Sequence, residues 1–576
     1  MYRNHYNGTL RKEDVGSKVT LTGWVAQRRN LGSLLFLDLR DTTGIVQCVS
    51  ATPDELPDVR NEYVVQIVGT VQAKDVPNPN LPTGEVEVAI ESLKVLSKAQ
   101  TTPFIIADKT DALEETRLQY RYLDLRRPTL QRNLRIRSKI CHAAREYFEE
   151  NGFLEIETPM LNLSSPEGAK EYLVPSRIHH GSFYALPQSP QVWKQLLMIG
   201  GLERYYQIAR CFRDEDLRAD RQPEFTQIDL ETSFMDQEEI LTLMEGFLKK
   251  AFKEAAGVDI VTPLRRIPYW EAMDTYGSDK PDTRFGLTLK DLSFLKESSF
   301  EGFGEKDYVK GIVVPGVAAT TSRKNLDELN VEARKFSLKG VIALKYLNGA
   351  LEGSFTKFLN PELIEKLVAT LELKEGDLVL FASSASRHHI DNGLGALRSL
   401  FARKLGLIKP GTYDLLWVVD FPMFTPVDGE DRYVAEHHPF TRPRDEDLEK
   451  LDTKPEEVLA YAYDIVINGY EAGGGTLRIY DHDTQWKIFK LLGLSDEDVA
   501  NKFGWFINAF NYGAPPHGGI AFGLDRLTMI LSGTENIRDV IAFPKNLQAV
   551  DPTSKAPREV TADQLEILGL KLVDKE

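Results

Sequence analysis

The chain has 576 residues, of which 42% are hydrophobic and 27% charged, and it carries a net charge of −16. This composition is typical of a globular protein with large cores, and the length predicts about three or four domains. It excludes a membrane-spanning protein, because no apolar run approaches the roughly 20 residues that such a helix needs, and no signal peptide is expected at the amino terminus.

The three cysteines, Cys48, Cys141 and Cys211, lie far apart and form no CxxC pattern. This spacing argues against zinc and fits a reducing cytosol, so we expect a cytoplasmic protein without a zinc site. Residues 1–105 hold 11 basic and 12 acidic side chains and are therefore near neutral, so the overall charge does not exclude nucleic acid as a partner.

Residues 1–105 contain five short segments in which apolar and polar residues alternate, separated by glycine and proline. Such a pattern predicts a small closed β-barrel. Barrels of the oligonucleotide-binding kind stack bases on aromatic rings and hold phosphates with basic side chains, and Arg28, Arg29 and Phe36 offer both. The alternative is that Phe36 belongs to the barrel core.

Residues 106–130 are predicted to be a hinge or linker. Its end, residues 120–128, is basic and closed by Pro128, which suits either contact with a nucleic-acid backbone or a solvated connector. Residues 133–150 then have apolar positions at helical spacing, and residues 153–159 continue as a strand that ends at a proline.

Residues 204–235 predict two strands joined by a charged loop, because apolar residues alternate at both ends of the stretch. A charged loop is often only a solvated tip. However, Arg213 and Glu215 are two apart, and Gln227 and Asp229 share one strand face with Glu231, which suggests the floor of a site.

Residues 285–410 mix helical and strand patterns and contain no group of residues with recognisable chemistry. A buried strand follows near residue 415, and then the pair His437 and His438. Adjacent histidines on a strand point to opposite sides and no third ligand is near, so the pair does not indicate a metal site.

Residues 462–479 alternate and contain three consecutive glycines, which could form a turn or let the backbone approach a flat ligand. Residues 518–531 predict a strand followed by a helix that has Arg526 near its start. The free N–H groups and the dipole of a helix start favour phosphate there.

Three of these stretches together resemble the class II aminoacyl-tRNA synthetases of the subclass that charges aspartate, asparagine and lysine. Residues 212–215 resemble motif 2, the helix and strand that end at Pro159 resemble motif 1, and residues 523–526 resemble motif 3. Residues 23–41 resemble the anticodon-binding domain of that subclass. The resemblance covers essentially the whole chain.

The resemblance implies a multi-domain α+β protein: an N-terminal OB-fold barrel (1–105), a hinge (106–130), an antiparallel-sheet catalytic domain in two parts (131–284 and 411–576) and an inserted α+β domain (285–410) of the bacterial type. It also implies residue roles. Catalysis is assigned to Arg213, Glu215 and Arg526. ATP binding is assigned to these three and to Gln222, Phe225, Glu471, Gly523 and Asp525. Aspartate binding is assigned to Glu167, Ser189, Gln191, Lys194, Arg213, Gln227, Asp229, His437, His438 and Arg478. Anticodon contacts are assigned to Arg29, Phe36, Gln47, Asn78 and Glu87, and Mg²⁺ to Asp464 and Glu471.

The expected reaction joins L-aspartate to its tRNA through an aspartyl-adenylate, with ATP and Mg²⁺, in a homodimer formed through motif 1. Arg478 and Lys194 are expected to reject asparagine because they would face a neutral amide as uncompensated charges. The alternatives are a synthetase for asparagine or lysine, and a catalytically inactive tRNA-binding relative. Ser189, Gln191 and Lys194 could also be ordinary capping and surface residues.

Overall fold

The structure, a computed structural model, describes residues 1–164, 169–336, 338–427 and 432–573. It contains two compact units. The first comprises Met1–Arg135 and Arg538–Glu559, and the second comprises Ile136–Ile537 and Val560–Glu576. These limits differ from the five predicted segments, whose boundaries remain predictions.

The first unit contains the predicted barrel. Its strands are β1 (Lys18–Leu31), β2 (Leu34–Asp41), β3 (Gly44–Ser50), β4 (Val64–Ala73) and β5 (Val86–Ser97). They close in the order β1-β2-β3-β5-β4. Alternation along each strand places one set of side chains, such as Val19, Leu21 and Leu37, in a dry core, so the OB-type barrel is confirmed.

The connector after the barrel forms short helices and not an open linker. These are α1 (Glu114–Gln119) and α2 (Arg121–Asp124), followed by the long helix α3 (Pro128–Glu150). The carboxylate of Asp124 is fully buried and accepts hydrogen bonds from Arg121 at 2.7 Å and Arg127 at 3.0 Å. These two arginines are therefore buried within the protein. For them, the prediction of a solvated connector and the prediction of contact with a nucleic-acid backbone are both wrong. Helix α3 begins before the predicted residue 133 because a proline suits the first helical position.

The second unit opens with the predicted hairpin and its supports. Its first elements are β6 (Leu154–Glu155), β7 (Leu173–Pro175), β8 (Phe183–Ala185), α4 (Gln191–Ile199), β9 (Arg204–Phe212), β10 (Glu224–Ser233), α5 (Gln237–Ala256), β11 (Arg265–Pro268) and α6 (Tyr269–Tyr276). Strands β9 and β10 pair antiparallel in register, as the alternation predicted. The strand predicted over residues 153–159 is only two residues long.

A second sheet with its own helices follows. Its elements are β12 (Lys290–Asp291), β13 (Tyr308–Val314), α7 (Arg323–Arg334), β14 (Ile342–Leu347), β15 (Ala350–Glu352), α8 (Pro361–Leu371), β16 (Leu378–Ser384) and α9 (Arg387–Lys404). The strands pair in the order β12-β13-β16-β14-β15. This sheet and its helices have the α+β composition that was predicted for the insertion.

The chain then returns to the first sheet. The remaining elements are β17 (Leu415–Val419), β18 (Phe424–Pro426), β19 (Tyr433–Ala435), β20 (Ala462–Ile467), β21 (Tyr470–Leu477), α10 (His482–Leu491), α11 (Asp496–Ile507), β22 (His517–Gly523), α12 (Leu524–Ser532) and α13 (Ala562–Leu568).

The main sheet has eight strands in the order β11-β17-β20-β21-β22-β10-β9-β6. It is antiparallel except at its two edges, where β11 pairs with β17 and β6 with β9 in parallel. Helices α3, α5 and α12 cover one face, where Phe148, Phe247 and Phe522 pack together. The other face of the central strands is polar and holds the site. In the described ranges, no helix combines the length and apolar character needed to cross a membrane.

Candidate active site

A cavity of about 600 Å³ lies over the central strands of the main sheet, on the face away from the aromatic core. It is lined by nearly every residue predicted for catalysis, ATP, aspartate or metal: Ser189, Gln191, Lys194, Arg213, Glu215, Gln222, Phe225, Gln227, Asp229, His437, His438, Asp464, Glu471, Arg478, Gly523, Asp525 and Arg526. Glu167 is the exception, since it lies outside the described residues. The roles of these residues remain predictions, but the fold brings them to one place.

The floor of the cavity follows from strand alternation. Gln227, Asp229 and Glu231 on β10 point to the same face, and each lies beside a glycine or alanine of β22. Small neighbours are needed here, because a Cβ added to Gly519 would lie 2.1 Å from a carboxylate oxygen of Glu231.

The three consecutive glycines lie within strand β21, so the turn interpretation is wrong. A Cβ on Gly474 would approach a carboxylate oxygen of Asp464 to 2.5 Å, and one on Gly475 would approach the Gly519 carbonyl oxygen to 2.2 Å. The glycines therefore keep the middle of the floor open and let neighbouring strands carry large polar groups.

At one end of the cavity, two cations and two carboxylates form a buried group with no net formal charge. Lys194, Asp229 and Arg478 line the cavity, and Glu231 lies behind them. Arg478 donates two hydrogen bonds to Glu231, at 2.8 and 3.0 Å. The ammonium of Lys194 lies 2.7 Å from Asp229 and 3.2 Å from Glu231. Burial would raise the pKa of Glu231, but Arg478 and Lys194 outweigh it and lower that pKa to about 2. Glu231 is therefore ionised at neutral pH, whereas burial raises the pKa of Asp229 against the opposing charge of Lys194.

This group corrects the expected basis of selectivity. Arg478 and Lys194 are not uncompensated charges waiting for a carboxylate, because Glu231 and Asp229 already pair with them. Sequence reasoning noted Glu231 on the strand face but did not assign it to the site. The signal was available, since a third polar residue at the same alternation must point to the same side of the sheet.

His438 adds a neutral group beside Arg478. Burial, and then the charge of Arg478, lower the pKa of His438 well below its usual range. Its Nε2 accordingly accepts a hydrogen bond from Arg478 at 2.6 Å. The neighbouring His437 faces Asp464 instead, at 3.4 Å, so the two rings do point in different directions.

Among the described residues, three of those predicted to bind aspartate have a buried polar atom that meets no hydrogen-bond partner there. These atoms are Nε2 of Gln191, Oδ2 of Asp229 and Nδ1 of His437. Buried polar groups are normally paired, so such atoms along a cavity wall indicate a polar ligand that completes them.

At the other end of the cavity, the guanidinium of Arg213 lies over the ring of Phe225, 5.1 Å from its centre. Glu215 pairs with Arg221 at 3.0 Å. Arg526 donates to the backbone carbonyl of Glu471. This end therefore offers an aromatic face and two arginines to a nucleotide.

Asp525 is already bonded within the protein. One oxygen accepts from Arg137 at 2.5 Å and the other accepts from the backbone N–H of Thr226 at 2.8 Å. It thereby joins α12 to α3 and β10, next to Arg526. Its predicted contact with ATP remains a prediction.

Asp464 and Glu471 face each other across the β20–β21 hairpin, near the missing Cβ of Gly474. Burial raises the pKa of Asp464, and Glu471 raises it further, against the opposing effect of His437. Carboxylates crowded in this way favour a bound cation. Within the described ranges, no cluster of three or more His, Cys, Asp or Glu side chains forms a metal cage.

The cavity is also lined by residues that sequence reasoning did not assign: Ala169, Gln188, Asp220, Arg221, Asp279, Phe421, Glu436, Ala472, Gly473, Gly474, Gly475, Thr476, Ala521 and Ile537. Most of them neighbour an assigned residue on the same strand or loop. Asp279 does not. It comes from the segment that leads into the second sheet, and no local pattern marks it.

In the first unit, Phe36 lies on the outer face of the barrel, between the inward-facing Leu35 and Leu37. The core interpretation of Phe36 is therefore wrong. Arg29 is its cross-strand neighbour and also contacts Gln47, which donates to Glu87 at 2.7 Å. Four of the five predicted anticodon residues thus share one surface. The fifth, Asn78, lies in the loop between β4 and β5.

The catalytic fold and the barrel both match known families. Residues 113–547 match the family described as tRNA synthetases class II (D, K and N), and residues 19–96 match the OB-fold nucleic acid binding domain. The chain therefore belongs to the class II tRNA synthetases of the D, K and N group.

The names of similar proteins specify the amino acid. The chain is 50% identical to the aspartate–tRNA ligase of Streptococcus thermophilus, over 99% of both chains. It is 51% identical to the aspartate–tRNA(Asp/Asn) ligase of Caldanaerobacter subterraneus, over 99% of this chain and 98% of that one.

Solved structures agree on the fold. The asparaginyl-tRNA synthetase of Pyrococcus horikoshii complexed with asparaginyl-adenylate has a TM-score of 0.59 and 21% identity, covering 94% of this chain and 98% of its own. The aspartyl tRNA synthetase of Entamoeba histolytica has a TM-score of 0.56 and 19% identity, covering 93% and 90%.

Proposed function

We propose that this protein is an aspartate–tRNA ligase that activates L-aspartate with ATP and transfers it to the 3′-terminal adenosine of its tRNA. One observation carries the proposal: a single cavity joins a nucleotide end, with Arg213 and Arg526, to a buried end built on Arg478, Lys194 and Asp229. The names of relatives that are about 50% identical over the whole length support the same assignment.

The buried end suits a small dicarboxylic amino acid. Its α-ammonium group would pair with Oδ2 of Asp229, which has no hydrogen-bond partner among the described residues, and the amide of Gln191 would donate to a carboxylate of the substrate. The side-chain carboxylate would share Arg478 and Lys194 with the acidic groups already there. Neutral His438 would keep the orientation of Arg478 without adding charge.

A lysine substrate would bring a third cation to this group, and an asparagine substrate would add no charge. Only a substrate carboxylate would use the remaining donor capacity of the two cations as charge-assisted hydrogen bonds. Selection by uncompensated charge does not apply, since Glu231 and Asp229 already pair with Arg478 and Lys194.

At the nucleotide end, the α-carboxylate of aspartate attacks the α-phosphate of ATP and pyrophosphate leaves. Negative charge builds on the phosphate oxygens, so the protein acts by positioning and by electrostatic stabilisation. Arg213 and Arg526 would contact the phosphates, and Phe225 offers a ring face for the adenine. The 3′-hydroxyl of tRNA then attacks the adenylate, so no protein nucleophile is required.

Asp464 and Glu471 would hold Mg²⁺ together with the phosphates. The donor set fits, because Mg²⁺ in nucleotide sites is commonly bound by one or two carboxylates plus substrate oxygens. The space beside Gly474 and the raised pKa of Asp464 support this assignment. When bound, the ion would neutralise charge on the phosphates.

We also propose a homodimer formed through helix α3 and the strand after it. Leu154, Met160 and Leu161 follow the helix and are exposed by 52%, 39% and 53%. Exposed apolar side chains close together in sequence are typical of a subunit interface. Cys48, Cys141 and Cys211 form no disulfide in the described part of the chain, which fits the reducing cytoplasm where we place the protein.

ATP–pyrophosphate exchange tests the assignment. We expect exchange with aspartate and none with asparagine or lysine, because only aspartate supplies a side-chain carboxylate to the buried group. Exchange that depends on asparagine or lysine would support the sister enzymes, and no exchange with any of the three would support a tRNA-binding relative. Charging assays with tRNA(Asp) and tRNA(Asn) then measure which tRNAs the enzyme accepts.

Phe36→Ala tests the barrel surface. A base stacked on an aromatic side chain is worth about 1–3 kcal/mol, so we expect the KM for tRNA to rise by roughly 5-fold to 150-fold. Exchange does not involve tRNA and should remain within about twofold of wild type. Because Phe36 lies outside the core, the melting temperature should change little. Equal losses in charging and exchange would contradict an anticodon role.

A further inference from the structure

We propose that Lys280 is an additional residue that binds the triphosphate of ATP and the leaving pyrophosphate. Lys280 belongs to residues 277–287, here called the strap, which connects α6 to the second sheet. The residue before it, Asp279, lines the cavity. The inference rests on the proposed function, because it adds a phosphate contact to that same site.

The strap is anchored at both ends on helix α9. Gly277 has φ +67°, and a Cβ there would lie 2.2 Å from the carbonyl oxygen of Asp391. At the other end, buried Arg398 donates to the carbonyl oxygens of Asp282 and Leu287, each at 2.8 Å. A segment fixed in this way presents its intervening residues in a defined place.

The strap also contacts the hairpin that holds the predicted metal ligands. Gly469, in the β20–β21 turn, packs so closely on Asp282 that a Cβ on the glycine would lie 2.9 Å from the Cβ of Asp282. Glu471 follows two residues later on β21. The strap therefore lies at the nucleotide end of the cavity.

The charges around Lys280 also support a phosphate contact. Its ammonium lies 3.2 Å from the carboxylate of Asp279. Burial lowers the pKa of Lys280, but Asp279, Glu471 and Asp464 outweigh it and raise that pKa, so the side chain is charged. All three carboxylates line the cavity, and Asp279 is the one in contact with Lys280 among the described residues.

Lys280 can leave its partner Asp279 and bind a phosphate instead. The Lys280 side chain remains 45% exposed, and in the described part of the chain Asp279 is the carboxylate with which it forms an ion pair. A lysine on a flexible stem can turn from one singly charged carboxylate towards a polyphosphate of higher charge. Arg213 and Arg526 lie on other segments, so Lys280 would add a cation from a third direction.

Lys280→Ala tests the proposal in aspartate-dependent ATP–pyrophosphate exchange. A charge-assisted hydrogen bond lost from the nucleotide should raise the KM for ATP by about 10-fold to 100-fold. The KM for pyrophosphate should rise in parallel, and the KM for aspartate should stay within about twofold. Lys280→Arg should recover most of the ATP affinity because it keeps the charge. Lys290→Ala, an exposed lysine on β12, is the matched control and should behave as wild type.

Two results would overturn the inference. One is an unchanged KM for ATP in Lys280→Ala, and the other is an equal rise in the KM for ATP and aspartate, which would indicate a general structural effect. Both presuppose that the wild-type enzyme supports aspartate-dependent exchange. If it does not, the proposed function itself fails, and the two failures are thereby distinguished.

Discussion

Arg213→Ala is expected to lower aspartate-dependent ATP–pyrophosphate exchange by at least about 10² to 10³, the usual effect of removing one donor that stabilises transition-state charge. Arg213 stacks on Phe225 at the cavity wall, and within the described part of the chain its guanidinium forms no ion pair. Its charge is therefore available to the nucleotide. Exchange is measured with labelled pyrophosphate at saturating aspartate.

The control for Arg213 is Arg218→Ala. Arg218 lies on the same loop, carries the same charge and is exposed away from the cavity, so exchange should be unchanged. Both variants should melt at the wild-type temperature, because neither guanidinium forms a buried pair. If Arg213→Ala retains more than about a tenth of the exchange rate, Arg213 has no catalytic role.

Glu231→Gln is expected to damage both stability and aspartate binding. The change leaves buried Arg478 and Lys194 with one carboxylate between them. Breaking a buried pair in this way costs about 3–5 kcal/mol, so the melting temperature of the variant should fall by several degrees. Arg478 would also lose one of the two hydrogen bonds that orient it, because the amide NH2 cannot accept, and the KM for aspartate should rise by more than about tenfold.

Glu245→Gln separates these two effects. Glu245 is also buried, and it pairs with Arg266 at 2.6 Å. Neither glutamate lines the cavity, but the partners of Glu231, Arg478 and Lys194, do line it, whereas Arg266 does not. This variant should lose stability while its KM for aspartate stays near wild type. Equal KM values for aspartate in the two variants would remove Glu231 from the substrate pocket.

The stability effect of Glu231 should depend on pH with a definite sign. Because folding lowers the pKa of Glu231 from 4.5 to about 2, the ionised residue stabilises the folded protein fully above about pH 4.5. This contribution is lost as the pH falls towards 2. The difference in melting temperature between wild type and Glu231→Gln should therefore be constant from pH 7 to about pH 5 and shrink below that.

Much of the fold could be predicted because it depends on local periodicity. Alternation over residues 204–212 and 224–233 fixed two paired strands, and the same period set the barrel strands and their inward faces. A period of two decides which side chains share a face, so Gln227 and Asp229 could be placed together without a structure. The ends of helices and strands were predicted less accurately, as helix α3 and the two-residue strand β6 show.

The pairing of charges could not be predicted in the same way. Arg478 and Glu231 are 247 positions apart, and their two hydrogen bonds exist because β21, β22 and β10 are neighbours in the sheet. The burial of Arg121 and Arg127 on Asp124 likewise depends on what packs over the connector. Composition shows how many charged side chains the chain has, but only folding decides which of them are buried away from water.

By itself, the sequence determined the barrel, the strands of the catalytic sheet and the residue types available to a nucleotide and a small acidic substrate. The tertiary structure alone decided that Glu231 and Asp229 neutralise Arg478 and Lys194, and that the strap carries Asp279 to the cavity. The reason is physical: backbone periodicity acts over a few residues, whereas burial and ion pairing depend on segments that meet only when the chain has folded.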